Sequence, residues 1–286
     1  MRIAIASGKG GAGKTTIATT LAVAAAARGR ATVYVDCDVE APNGHLLLRP
    51  RIEHRHAVSR LVPVVDRDRC DGCGACGRAC QFGAIVCVGG AVVVYPNLCK
   101  SCGACLAACD RGAIGEAAQM IGVVETGCAG ALRFVQGVLD VGQARCIPVI
   151  DAAKAAIGAD DELVVIDAPP GTSCPMVAAV RGSDLVILVA EPTPFGLADL
   201  TIAADALRLM GLPAAVVINR SDVGDQRVRR FCDERGLPVI AEVPYSQALA
   251  QAYASGDLAG IGQALGAAPQ RLLQWIDDHA PARSAS

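Results

Sequence analysis

Fourteen cysteines in 286 residues dominate the chemistry open to this chain. Eight fall in two runs of identical spacing, Cys70-x2-Cys73-x2-Cys76-x3-Cys80 and Cys99-x2-Cys102-x2-Cys105-x3-Cys109. Three thiolates on one tight loop can cover three corners of a [4Fe–4S] cubane. Gly72, Gly74 and Gly103 allow the turns and bring backbone N–H groups toward sulfur. Zinc sites rarely take four cysteines from one such run. A second centre lies at the N-terminus. Gly8-Lys9-Gly10-Gly11-Ala12-Gly13-Lys14-Thr15 fits G-x-x-x-x-G-K-[ST], with Thr16 following. Its glycines let backbone N–H groups curl around an anion, and a helix N-terminus adds positive dipole. Lys14 would neutralise the β/γ-phosphates of a nucleotide and Thr15 would place its hydroxyl on Mg²⁺. The chain has only four lysines, and two of them are here.

The elements that must hold these residues follow from apolar patterning. Residues 2–6 read as a buried strand ending at the glycine loop, and a helix from Lys14 to Ala27 stops at Arg28-Gly29. Further strands are expected at Thr32–Val35, Leu163–Ile166, Leu185–Val189, Ala215–Ile218 and Pro238–Ala241. Helices are expected at Leu197–Met210 and Arg227–Arg235. Alternating strands and helices predict an α/β domain with a mostly parallel sheet and helices on both faces. Continuous apolar runs fit strands covered on both sides. Between Leu61 and Glu116 the character changes: nine cysteines, many glycines and no long periodic segment. The expected organisation is an α/β domain of residues 1–60 and 117–280, interrupted by a small α+β insert of residues 61–116. A disordered tail of 281–286 follows.

Lys9-Gly10-Gly11-Ala12-Gly13-Lys14-Thr15 resembles the deviant Walker A motif of the MinD/ParA/nitrogenase-iron-protein class of P-loop ATPases. The resemblance implies a P-loop fold, ATP and Mg²⁺ as ligands, and an ATP-dependent homodimer. It implies that Lys9 reaches the nucleotide of the opposite subunit. Val35-Asp36-Cys37-Asp38 is similar to the switch I segment, in which Asp38 would orient the attacking water. Val164 to Gly171 is similar to the Walker B and switch II segment. There Asp167 would hold the Mg²⁺ shell and Gly171 would offer its N–H to the γ-phosphate. Asn219 would read adenine, and Val243-Pro244-Tyr245 would pack on the base, with Pro244 in contact. The catalytic set on this reading is Lys9, Lys14, Asp38 and Asp167.

The two cysteine runs resemble bacterial ferredoxins with two [4Fe–4S] clusters, in which the fourth cysteine of each run ligates the other cluster. Carried over, Cys70, Cys73, Cys76 and Cys109 hold one cluster, and Cys99, Cys102, Cys105 and Cys80 hold the second. Gln81 and Asp110 stand where proline usually follows the fourth cysteine. MinD-class ATPases with an inserted ferredoxin domain are a known type that this chain resembles. Of the remaining cysteines, Cys37, Cys87, Cys146 and Cys232 read as small buried hydrophobes. Cys128 (in Gly-Cys-Ala-Gly) and Cys174 (seven residues after Asp167) are similar in context to the ligands of the nitrogenase iron protein. The alternatives for that pair are a third cluster bridging the dimer and ordinary packing. His45, His54 and His56 read as part of a solvated basic segment, and residues 270–276 as a docked helix.

Composition closes off other functions. A net charge of −2 offers no field for phosphate backbones, so no nucleic acid is expected as a partner. No stretch reaches the roughly 18–20 apolar residues of a membrane span. No signal peptide is read, so the reading is cytoplasmic. Three functions stand: ATP-driven changes that gate electron transfer through two clusters; an ATP-regulated iron–sulfur carrier; and a MinD-like positioning switch with structural clusters. The partner would be a redox protein or an apoprotein acceptor.

Overall fold

The structure, a computed structural model, describes residues 1–279; the tail expected to be disordered, 281–286, lies outside them. In chain order the elements are β1 (Arg2–Ala6), α1 (Lys14–Ala27), β2 (Thr32–Asp36), α2 (Gly44–Leu48) and β3 (Arg51–Val65). Next come α3 (Ala75–Ala79), β4 (Ile85–Val88), β5 (Ala91–Val94), α4 (Ala104–Ala107), β6 (Ile114–Ala129) and β7 (Leu132–Leu139). Then α5 (Ile147–Ala155), β8 (Leu163–Asp167), α6 (Cys174–Val180), β9 (Leu185–Ala190), α7 (Pro194–Leu209) and β10 (Ala214–Asn219) follow. The last are α8 (Arg227–Arg235), β11 (Val239–Val243), α9 (Gln247–Ser255), α10 (Leu258–Leu265) and α11 (Ala268–His279).

One nine-stranded sheet runs in the order β11-β10-β9-β1-β8-β2-β7-β6-β3. It is parallel from β11 to β7, and β6 lies antiparallel to both β7 and β3. The continuous apolar strands split their side chains between two cores. Ile3, Ile5, Tyr34, Val165 and Ile187 face α1, α10 and α11, whereas Ala4, Ala6, Val35, Ile166 and Leu188 face α5, α6 and α7. Enclosing each Ile, Leu or Val contributes about 1.5–3 kcal/mol. Parallel order puts the C-terminal ends of β1, β2 and β8 side by side, with Ile5 registered on Asp167 and Asp36 on Asp167. Loops at that edge are where ligands sit in open α/β sheets.

The expected insert boundaries at 61 and 116 fall inside β3 and β6. The chain leaves and re-enters the sheet through two paired strands, not through a linker. β3 and β6 pair along their whole length, from Arg51–Cys128 to Val65–Ile114. β7 accompanies β6 only from Gly122 to Ala129. Where β7 stops, Val58 pairs with Gly122 and Ser59 with Met120, so Ile121 is an extra residue, a bulge at the root of a two-stranded arm. The arm carries a cysteine-rich lobe built on a repeated local design. Gly74 and Gly103, both at φ 73°, turn the chain into α3 and α4. The lobe core is Cys76, Ile85, Cys105 and Ile114.

Candidate nucleotide cleft and cysteine cavities

The phosphate loop leaves β1 at the sheet's C-terminal edge and is clamped from two sides. Gly13 has φ +100°, and a Cβ there would lie 2.5 Å from Asn219 Nδ2, so the position requires glycine. Asn219 is a brace: its Nδ2 donates to the Ala12 carbonyl at 2.8 Å and its Oδ1 accepts the Arg220 N–H at 3.0 Å. This uses one N–H and one lone pair of the amide expected to read adenine, and the side chain still lines the cleft. On the other side, a Cβ at Gly8 would be 2.4 Å from Asp199 Cβ, so α7 closes on the loop. The Gly171 N–H, expected to face a γ-phosphate, donates to the Ser7 carbonyl at 3.1 Å.

The loop opens into a cleft at the C-terminal edge of the sheet. Gly10, Gly11, Gly13, Lys14, Thr15, Thr16 and Asp38 line its floor, and Asn219, Arg220, Pro244 and Tyr245 its far end. One face of α9 adds Leu249, Ala250 and Tyr253. Lys14 is buried, which lowers its pKa against the opposing pull of Asp167, Asp38 and Asp36. Burial pushes the Asp167 carboxyl up to about 6, although Thr15, Lys14 and Tyr34 favour its ionised form. Burial likewise raises Asp38, with Lys14 opposing, and raises Asp36, which also faces Asp167. Asp36 compensates through N–H bonds from Asp38, Asn43 and Gly44 at 3.0–3.2 Å. Asp167 Oδ2 accepts from Tyr34, while Oδ1 is buried and has no hydrogen-bond partner among the described residues. An orphaned carboxylate oxygen beside Thr15 fits the second shell of a Mg²⁺ carried in with a nucleotide.

Lys9 does not line the cleft. Its ammonium meets Glu191 Oε2 at 2.5 Å in a small cavity between the loop and α7. Glu191, Arg220, Tyr34 and Asp36 are site residues that sequence reasoning missed. Of these only Asp36 carried a local signal, two residues before Asp38 on the same strand end.

The lobe gathers its cysteines into two cavities. Cys70, Cys73, Cys76 and Cys109 line one; Cys80, Cys99, Cys102 and Cys105 line the other. Each set takes three thiols from one run and the fourth from the other. Backbone N–H groups reach sulfur: Ala84 to Cys80, Ala113 to Cys109 and Ser101 to Cys99, each at 3.3 Å. Burial raises the Cys80 thiol, but N–H groups from Phe82 to Ile85 outweigh it and bring its pKa below the ordinary value. Burial raises Cys76 and Cys105. Among the described residues no three His, Cys, Asp or Glu side chains converge tightly enough for a single metal ion. The structure does not bring Cys128 and Cys174 together. Cys128 pairs with Arg133, beside Val33 and Val164 at the N-terminal ends of the parallel strands. Cys174 opens α6, beyond the C-terminal end of β8.

With this geometry in place, comparison with known proteins gives a match between residues 3–259 and the CobQ/CobB/MinD/ParA nucleotide binding domain. The chain belongs to this family. It is an ATPase, with a P-loop α/β fold. It is 35% identical over 232 residues to the uncharacterized protein MJ0578 of Methanocaldococcus jannaschii, covering 79% of this chain and 80% of that one. A second protein of that organism, MJ0579, is 25% identical over 259 residues, 90% of each chain. The fold is similar to septum site-determining protein MinD of Pyrococcus horikoshii, solved with Mg-ADP, with TM-score 0.57 and 19% identity over 97% of this chain and 94% of that one. The cell division ATPase MinD of Pyrococcus furiosus also has TM-score 0.57, with 20% identity over 96% and 98% of the two chains. No helix among the described residues is long and apolar enough to cross a membrane.

Proposed function

We propose that this ATPase is an ATP-switched iron–sulfur protein, in which residues 61–116 form a two-cluster ferredoxin-like insert. One observation carries the reading. Two runs 29 residues apart fold so that each cavity receives three cysteines from one run and the fourth from the other, the crossed pattern of two-cluster ferredoxins. The donor set fits: four thiols to a cavity, N–H groups at Sγ, and apolar walls from Ile85, Ile114, Val65 and Val92. Bound in these cavities, [4Fe–4S] clusters supply one-electron transfer.

The chain's own residues supply the ATPase chemistry. Lys14 neutralises the β/γ-phosphates from its buried position, and Thr15 and Asp167 hold the Mg²⁺ shell. Asp38 orients the attacking water. In the ATP-bound state two copies associate, and Lys9 reaches the other copy's phosphates. Coupling to the lobe has a physical path at Cys99, whose carbonyl accepts Arg60 Nη1 at 2.7 Å and Arg145 Nη1 at 3.5 Å. Arg145 precedes Cys146, whose thiol pKa is raised by burial and by Glu40, two residues beyond Asp38. A second reading, favoured by the fold likeness to MinD, is a nucleotide switch in which the clusters are structural. An ATP-regulated cluster carrier is the third.

The deciding experiment is anaerobic iron counting and potentiometry with and without ATP. About eight irons per chain and an ATP-dependent shift in potential support the redox switch. Eight irons with no shift favour the structural-cluster reading, and stoichiometric zinc without visible absorption sinks both.

A further inference from the structure

The phosphate loop carries two lysines, and the fold turns them to opposite sides. Lys14 enters the nucleotide cleft, whereas Lys9 bonds Glu191 Oε2 at 2.5 Å. The other oxygen of the same carboxylate, Oε1, accepts Arg220 Nη1 at 2.6 Å. Glu191 is fixed and buried at the end of β9. A Cβ on Gly196 would lie 2.2 Å from its carbonyl, and the Thr193 N–H donates to that carbonyl at 2.8 Å. Its two cations are freer: the Lys9 side chain is 36% exposed and that of Arg220 48%. Asp199 lines the cavity around Lys9 but makes no ion pair with it.

A buried carboxylate stripped of its only cation is strongly disfavoured. With one cation on each oxygen, either can leave and the charge stays compensated. Arg220 is anchored for the remaining role. It sits at φ +52°, its N–H is held by Asn219 Oδ1, and it lines the far end of the nucleotide cleft while its guanidinium holds Glu191. We propose that Arg220 is a positioning residue for ATP hydrolysis: it neutralises Glu191 when Lys9 departs for the triphosphate of a second copy of this chain. The proposal rests on the two-copy reading above.

The test compares R220A, R220K, E191Q and the E191Q/R220A double variant in steady-state ATP hydrolysis, with ATP affinity measured separately by a fluorescent ATP analogue. R220A is expected to lose about tenfold or more in kcat, beyond any change in affinity, because among the described residues Lys9 is then left alone to neutralise the buried Glu191 and is held there. R220K, which keeps a cation, stays within about threefold of wild type. E191Q/R220A recovers the rate, since no buried charge is left to strand; a merely structural role for Arg220 would not be rescued this way. A normal kcat in R220A, or a double variant as slow as R220A, overturns the exchange. Light scattering on the wild type separates the two readings. If ATP leaves it a single chain, the two-copy reading falls and takes the exchange with it. If ATP pairs the chains and E191Q does not rescue, the exchange alone falls.

Discussion

The Tyr34 hydroxyl donates to Asp167 Oδ2 at 3.0 Å and lies 3.5 Å from Asp36 Oδ2, so one buried phenol joins the ends of β2 and β8. Its ring is enclosed and stacks on Phe134, with centroids 5.8 Å apart. A Cβ on Gly44 would lie 2.3 Å from the hydroxyl, so the chain entering α2 rests on it. Tyr34→Phe keeps the ring and deletes the donor. It should cost about 1–3 kcal/mol of stability, because a buried carboxylate oxygen loses its partner. It should also weaken Mg-ATP binding, because Asp167 loses its orienting bond. Urea unfolding and nucleotide titration check both, and an unchanged urea midpoint with unchanged affinity refutes the role.

Lys14 and Lys9 should separate cleanly. Lys14 is a buried ammonium facing Asp38, Asp36 and Asp167, and its removal takes a charged donor from the phosphates. Charge-assisted bonds contribute about 1.5–3 kcal/mol, so Lys14→Ala should weaken ATP binding roughly 10- to 100-fold. Lys9→Ala should leave binding detectable but slow hydrolysis and abolish ATP-dependent association. The measurement is titration with a fluorescent ATP analogue alongside light scattering. Normal hydrolysis and association in Lys9→Ala would remove its assignment.

The elements that the sequence disclosed are those whose strand character is written in apolar runs. Leu163–Ile166, Leu185–Val189 and Ala215–Ile218 are all covered on both faces and read directly. β3 escaped because it is an edge strand whose first half, Arg51 to His56, is charged and exposed. β6 and β7 escaped because Gly115, Gly122, Gly127 and Gly137 break their pattern. Two of these glycines are close approaches: a Cβ on Gly122 would lie 2.3 Å from the Val138 carbonyl, and one on Gly127 2.0 Å from that of Arg51. Lys14, Thr15, Asp38 and Asp167 are grouped as the sequence reading grouped them, because a loop and two neighbouring strand ends hold them locally. The Lys9–Glu191 pair was not legible, since 182 residues separate its partners. Cys128 and Cys174 show the converse: motif contexts say nothing about strand direction, and the parallel sheet places the two at opposite ends.

The crossed cysteine sets predict an unusual pattern of loss. Cys109→Ser lies in the second run but should damage the cluster held by Cys70, Cys73 and Cys76. Cys80→Ser, in the first run, should damage the cluster of Cys99, Cys102 and Cys105. Each should lower iron by up to about four atoms per chain or leave a three-iron species visible by electron paramagnetic resonance. Cys128→Ser should leave the iron content unchanged. If Cys109→Ser instead perturbs the cluster of its own run, the crossed assignment is wrong.

Arg60 supports one cavity and not the other. It is buried on the arm, and its guanidinium donates to the carbonyls of Cys99 and Pro96 and to Gln119 Oε1 at 2.7–3.0 Å. The segment it holds, 96–99, enters the second cysteine run. Among the described residues no arginine of the arm bonds the loop from Cys70 to Cys76; there Arg78 caps the Cys73 carbonyl and Arg111 bonds Asp71, both from within the lobe. Arg60→Met preserves much of the apolar stem while removing the charged donor from all three acceptors; the Cys99 carbonyl keeps Arg145 at 3.5 Å and the Pro96 carbonyl keeps the Cys99 N–H at 2.9 Å. It should cost about 2–4 kcal/mol locally, since hydrogen bonds to a charged group are each worth about 1.5–3 kcal/mol and do not add fully. Hydrogen exchange should quicken at 96–102 ahead of 70–80, and the cluster of Cys99, Cys102, Cys105 and Cys80 should be lost first on exposure to a chelator. Equal loss from both cavities would mean that Arg60 braces the lobe as a whole and does not set the second cavity apart.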